Sequence, residues 1–122
     1  MPLSRIVMRL ARNPGTEFAG GDDHRGYTIV APLTADSHLE LQAYESERAK
    51  CSVRRFAPEE DPVMGKLGRR GNQWLFDFGD DDAGAEPVYR LGDHRFAVGE
   101  YVSITDEDGR LLTYKVTEVD PA

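Results

Sequence analysis

Glu100-Tyr101-Val102-Ser103-Ile104-Thr105-Asp106-Glu107-Asp108-Gly109-Arg110-Leu111-Leu112-Thr113-Tyr114 is the stretch that decides the fold class. Two alternating runs flank an acidic turn that ends in glycine, the pattern of a β-hairpin. Loop length fixes its register. A three-residue loop, Glu107-Asp108-Gly109 with Gly109 left-handed in a bulge, sets Asp106 opposite Arg110, Ile104 opposite Leu112 and Val102 opposite Tyr114. Apolar then meets apolar on one face, and an acid meets a cation. A four-residue loop over 106–109 sets Ile104 against Leu111 and Val102 against Thr113, which is a poorer match. Pattern and turn chemistry agree on the three-residue loop.

The same period of two recurs along the chain. In residues 4–11, Ile6, Met8 and Leu10 point one way, and Arg5 and Arg9 the other. Asn13-Pro14-Gly15 ends that run, and residues 15–26, rich in glycine and aspartate, read as a loop. Tyr27 to Ala31 is a second strand, stopped by Pro32, with apolar groups on both faces. Cys51 to Phe56 is a third. Residues 58–62 read as a polar loop, Met64 to Leu67 as a short strand, and Arg69-Arg70-Gly71-Asn72 as a turn. In Gln73 to Phe78, Trp74, Phe76 and Phe78 share one face and mark the expected centre of the core. Residues 79–87 are an acidic loop, Val88 to Leu91 a short strand, and Gly92 to Arg95 a turn. One helix is expected between about Ser37 and Lys50, capped by Asp36 or Ser37. Its stripe of Leu41, Tyr44 and Arg48 is narrow, so it covers one edge or end of a sheet.

These elements predict a single domain over residues 1–122, mainly β (or α+β). The expected form is a small antiparallel β-barrel or curled sheet of about six to eight short strands with one peripheral helix. The pattern fits a closed barrel and an open curled sheet alike.

Of the 122 residues, 15 are basic and 22 acidic, a formal net charge of −7. The imbalance lies in the second part of the chain. Residues 75–122 hold 4 basic and 12 acidic side chains, against 11 and 10 in residues 1–74. Such a distribution repels phosphate backbones and makes nucleic acid an unfavoured partner. Cys51 is the sole cysteine, which excludes an intramolecular disulfide and any CxxC motif. A lone thiol fits a reducing compartment. No secretory leader is legible, and no apolar run approaches the roughly 18 residues of a membrane span. The expected location is the cytoplasm, with no membrane partner.

No GxSxG, HExxH, GxxxxGK[ST] or GxGxxG motif occurs. His24 and His94 sit in identical tripeptides, Asp23-His24-Arg25 and Asp93-His94-Arg95. Chance repetition of a tripeptide is expected in a chain of this length, and Asp in such a place serves as an Asx-turn acceptor. A transition metal needs three or four convergent ligands, and no two of His24, His38, His94 and Cys51 stand at local ligand spacing. Asp80, Asp82, Gly84 and Glu86 depart from the EF-hand spacing. Cys51, entering a strand, reads as a small buried hydrophobe before it reads as a nucleophile.

Three functions fit these residues, in descending order. The first is a non-enzymatic binding or accessory domain acting through contacts with a protein partner, as a monomer or homodimer and with no cofactor. The second is a small metal-dependent protein or enzyme using His24 and His94 with Asp23 and Asp93, which requires these groups to meet in a pocket. The third is a single-stranded nucleic-acid-binding barrel using Arg54, Arg55, Lys66, Arg69 and Arg70, which requires those five on one face.

Overall fold

Eight strands make one antiparallel sheet in the computed structural model, which describes residues 3–71, 73–78, 85–88, 91–105 and 110–122, with 85–88 as backbone. They are β1 (Leu3–Leu10), β2 (Asp22–Pro32), β3 (Ser52–Ala57), β4 (Glu60–Arg70), β5 (Gln73–Asp77), β6 (Ala85–Val88), β7 (Tyr101–Thr105) and β8 (Leu111–Pro121). Their order across the sheet is β6-β5-β4-β3-β2-β1-β8-β7. The first six form a meander, β8 returns beside β1, and β7 is the far edge. The sheet curls into a half-barrel. Among the described residues its two edge strands do not pair with each other, so the sheet is open and curled.

Alternation explains what faces inward. Ile6, Met8 and Leu10 of β1, Tyr27, Ile29 and Ala31 of β2, and Leu112, Tyr114 and Val116 of β8 are all buried. Trp74 and Phe76 of β5 join them, while Phe78 is half-buried against the same core. In the last hairpin Val102 pairs with Tyr114 and Ile104 with Leu112. This is the register that the three-residue loop demands. The loop itself and Asp106, the expected partner of Arg110, lie outside the described residues, as do Asp80, Asp81 and Asp82.

Residues 91–98 act as a filler on the core beside β5. Leu91 and Phe96 are buried there. The Phe96 N–H donates to the Ser37 carbonyl at 2.7 Å, which ties this filler to the loop after β2.

Some elements differ from the sequence reading. β4 starts at Glu60 rather than Met64 and runs through Arg69 and Arg70, so only residues 71 and 72 separate it from β5. Gly71, at φ 62°, takes the left-handed conformation that so tight a connection requires. Of the short strand expected at 88–91, residue 88 ends β6 (Ala85–Val88), residue 91 opens a 3-10 turn (Leu91–Asp93), and residues 89 and 90 lie outside the described residues.

The helix is shorter than expected. α1 (Leu41–Glu47) continues as a 3-10 turn over Arg48–Lys50, and residues 34–39 form a tight loop instead. The Thr34 hydroxyl accepts from the backbone N–H groups of Asp36 and His38, and Ser37 is left-handed at φ 68°. Side-chain bonding of this kind competes with helix. Glu40, not Asp36 or Ser37, is the cap, its carboxylate accepting from the Gln42 N–H at 3.1 Å. Of the expected stripe only Tyr44 is buried. Its hydroxyl donates to the Leu67 carbonyl at 2.9 Å, and its ring meets Trp74 edge-on at 4.9 Å. Tyr44 thereby fastens the helix to the half-barrel.

Burial raises the Tyr44 phenol above its ordinary range, against the opposing pull of the Arg48 guanidinium. The unfolded phenol ionises near pH 10. This contribution to stability is therefore whole below about pH 10 and is lost as the pH rises toward the folded value. Tyr44→Phe is expected to cost about 1–2 kcal/mol at neutral pH, because the Leu67 carbonyl loses its donor. The variant's stability should also fall less steeply above pH 10. Urea titrations at pH 7 and pH 10.5 check both statements.

Candidate functional site at the mouth of the half-barrel

Three inner rows end in arginine at the same end of the sheet. Along β2 the inward positions run Ala31, Ile29, Tyr27 and then Arg25. Along β3 they run Val53 and then Arg55, which pairs across to Tyr27. Back along β8 they run Val116, Tyr114 and Leu112, and the next position is Arg110. Arg25, Arg55 and Arg110 line one cavity of about 220 Å³.

Its floor is aromatic. Tyr27 meets Phe76 at 5.3 Å and Tyr114 at 5.2 Å between ring centroids. The cations lie on aromatic faces: Arg55 is 4.8 Å from the Phe78 centroid, and Arg25 is 4.8 Å from that of Phe18. Arg110 lies 5.7 Å from the same Phe18 ring. Guanidinium groups tolerate such places because they stack on rings and keep their edges for hydrogen bonds. Arg110 uses its edge: Nη1 donates to both oxygens of Glu17 at 2.7 and 2.8 Å. Glu60 and Asp61 stand exposed at the rim.

The loop between β1 and β2 supplies Glu17 and Phe18, and it is built to hold them. Asn13 is its pin, with 8% of its surface exposed. Its Nδ2 donates to the carbonyls of Ala11 and Thr113, and its Oδ1 accepts from the Thr113 N–H at 2.9 Å. The Thr16 hydroxyl donates to the Asn13 carbonyl and accepts from the Phe18 N–H. Composition marked this segment only as a loop, and the pairing to Thr113 has no local signal.

The residues singled out from sequence fall elsewhere, apart from Arg55. Asp23 and His24 are exposed near the start of β2. Asp93 and His94 follow Leu91 in the filler segment, which bonds to Ser37 beyond the other end of β2. The run from Gly26 to Pro32 alone spans about 20 Å at roughly 3.3 Å per residue, so the two tripeptides stand at opposite ends of the half-barrel. The Asx acceptor is Asp22, which takes the His24 N–H at 2.9 Å. Among the described residues no three His, Cys, Asp or Glu side chains converge on one point. Burial lowers the His94 imidazole below its ordinary range, with Asp93 pulling the other way. Cys51 is buried, and burial raises its thiol, aided by Glu47. That favours the neutral thiol over a nucleophilic thiolate.

The five cations are not brought to one face. Arg54 lies beside Arg5 and Arg9 on the outside of the sheet, and Arg55 turns into the mouth. Lys66, Arg69 and Arg70 line a cleft beside the helix, where Arg69 stacks on Trp74 at 5.0 Å. No described helix is long and apolar enough to cross a membrane. Comparison with family models, with curated proteins and with solved structures finds no match to this chain.

Proposed function

We propose that the chain is a non-enzymatic binding domain that acts through contact with a protein partner, and that the arginine-lined mouth receives part of that partner. One observation carries the reading. Arg25 of β2, Arg55 of β3 and Arg110 just before β8 each lie on an aromatic ring and line one cavity with Tyr27 and Tyr114, at one open end of a curled sheet. Inward charges on three strands are costly for a core and useful for recognition. The cavity is smaller than the roughly 300–1,000 Å³ of pockets for drug-sized ligands, so a side chain suits it better than a cofactor does. The cytoplasm is the proposed compartment, where a lone buried thiol such as Cys51 stays reduced.

Selection from a displayed library of random short peptides tests this reading. Peptides enriched on the full chain should lose at least tenfold in affinity for an Arg55→Gln variant, since charge-assisted hydrogen bonds carry about that much. Failure of any peptide to enrich, or equal enrichment on the variant, would remove the mouth as a binding site.

A further inference from the structure

We infer that the mouth recognises an aspartate or glutamate side chain of the partner, in the place that Glu17 now holds on Arg110. This rests on the binding reading above and names its ligand chemistry.

The chain carries its own precedent. Glu17 is exposed, yet both its oxygens meet one guanidinium nitrogen at 2.7 and 2.8 Å, at the wall of the cavity. A carboxylate is therefore the group this wall already accepts. Phe18, the next residue, sits against Arg25 and Arg110 together. It packs against both cations, of which Arg25 also faces Asp22 at 3.7 Å and Arg110 meets Glu17, so both guanidinium groups of this wall are already matched to carboxylates. Glu17 and Phe18 line the cavity from the loop between β1 and β2, so a partner segment at the same rim can present a side chain alike in length and charge.

Exchange is inexpensive. The Glu17 side chain keeps 60% of its surface in water, and ion pairs so exposed contribute little. Glu17 then acts as a resident competitor. It occupies this face of Arg110 when no partner is present, and it yields when one arrives. The rim sets a further condition. Glu60 and Asp61 are exposed at the entrance and repel a run of acids, so a single carboxylate among neutral or basic neighbours suits the site best.

The experiment uses the full ¹⁵N-labelled chain and blocked tripeptides. Acetyl-Gly-Glu-Gly-amide is the probe, and acetyl-Gly-Gln-Gly-amide is its uncharged isostere. Acetyl-Gly-Gly-Gly with a free carboxylate represents a chain end. The glutamate peptide should shift the amide signals of Tyr27, Arg55 and Arg110 saturably, with at least tenfold weaker binding of the glutamine peptide. Glu17→Gln should tighten the glutamate peptide by about two- to fivefold, and Glu17→Ser should act in the same direction. Arg110→Gln should abolish the shifts.

Equal binding of the glutamine peptide, or no tightening in either Glu17 variant, would overturn the inference. So would binding of the free chain end alone. Library peptides that need Arg55 but contain no acid would leave the binding domain standing and remove only its carboxylate. Absence of any selected peptide would remove both.

Discussion

Gly26→Ala is expected to cost about 3 kcal/mol or more, a large part of the roughly 5–15 kcal/mol that holds a domain together. β1 and β2 shift register here, with Arg9 paired to Gly26 and Leu10 to Asp22. The shift presses Gly26 so close to β1 that an added methyl would fall on the Met8 carbonyl oxygen, with the Phe56 ring 3.0 Å away on another side. A backbone oxygen in the middle of a paired strand has nowhere to go, so the start of β2 must move instead. Arg25 is the next residue, and the mouth moves with it. Denaturant titration measures the loss, and amide spectra should show displaced signals along β1, β2 and the loop that carries Phe18. Gly20→Ala is the matched control, because its added methyl meets nothing within 4 Å. It should change stability by less than about 1 kcal/mol. Equal midpoints for the two variants would refute the account of Gly26.

Asn13→Ala should be the next most costly, at about 3 kcal/mol. The change removes two donated hydrogen bonds and one accepted bond from a side chain that is almost fully enclosed. The Thr113 N–H, a strand donor, is left without its acceptor, and each such orphan costs about 1–3 kcal/mol. A melting temperature lower by about 10 °C is the expected reading for a chain of this size. Because this side chain pins the loop, the Glu17–Arg110 contact should loosen as well. Amide exchange in residues 14–21 should quicken more than in β3 or β4. Uniform quickening across the sheet would mean that Asn13 supports global stability without a special hold on the loop.

The sequence revealed faces more readily than partners. Alternation in β1 and β8 assigns Ile6, Met8, Leu10, Leu112 and Tyr114 to the interior, and turn chemistry selects the register of the last hairpin. β4 escaped at full length because its inner row is weak. Asp61, Val63, Gly65, Leu67 and Arg69 hold only two aliphatic side chains, and the room at Gly65 is taken by the Asp77 backbone and the Phe78 ring. The helix is shorter than its composition suggests because Thr34, through two backbone bonds, holds a loop in residues that also suit a helix start.

The mouth was legible one residue at a time and invisible as a whole. Parity alone turns Arg55 and Arg110 inward. Their meeting with Arg25 depends on which strands lie side by side and on how the sheet curls, and neither has a local signature. The repeated Asp-His-Arg tripeptide is the reverse case. It is conspicuous in the sequence, and the fold sets its two copies at opposite ends.

The pairing of β1 with β8 also governs how the molecule can be assembled. Residues 4–10 are paired with residues 114–121 across nearly the whole length of the chain. Contacts of such span carry the largest loop-closure entropy and form late, which places folding toward the slow, millisecond-to-second range of all-β domains. β8 is also the last of the eight strands to leave the ribosome. Until it arrives, the outer edge of β1 offers unpaired N–H and C=O groups beside the apolar row of Ile6, Met8 and Leu10. A nascent chain in that state is poised to pair with its neighbour, so crowding of unfinished chains is the condition under which this protein would aggregate.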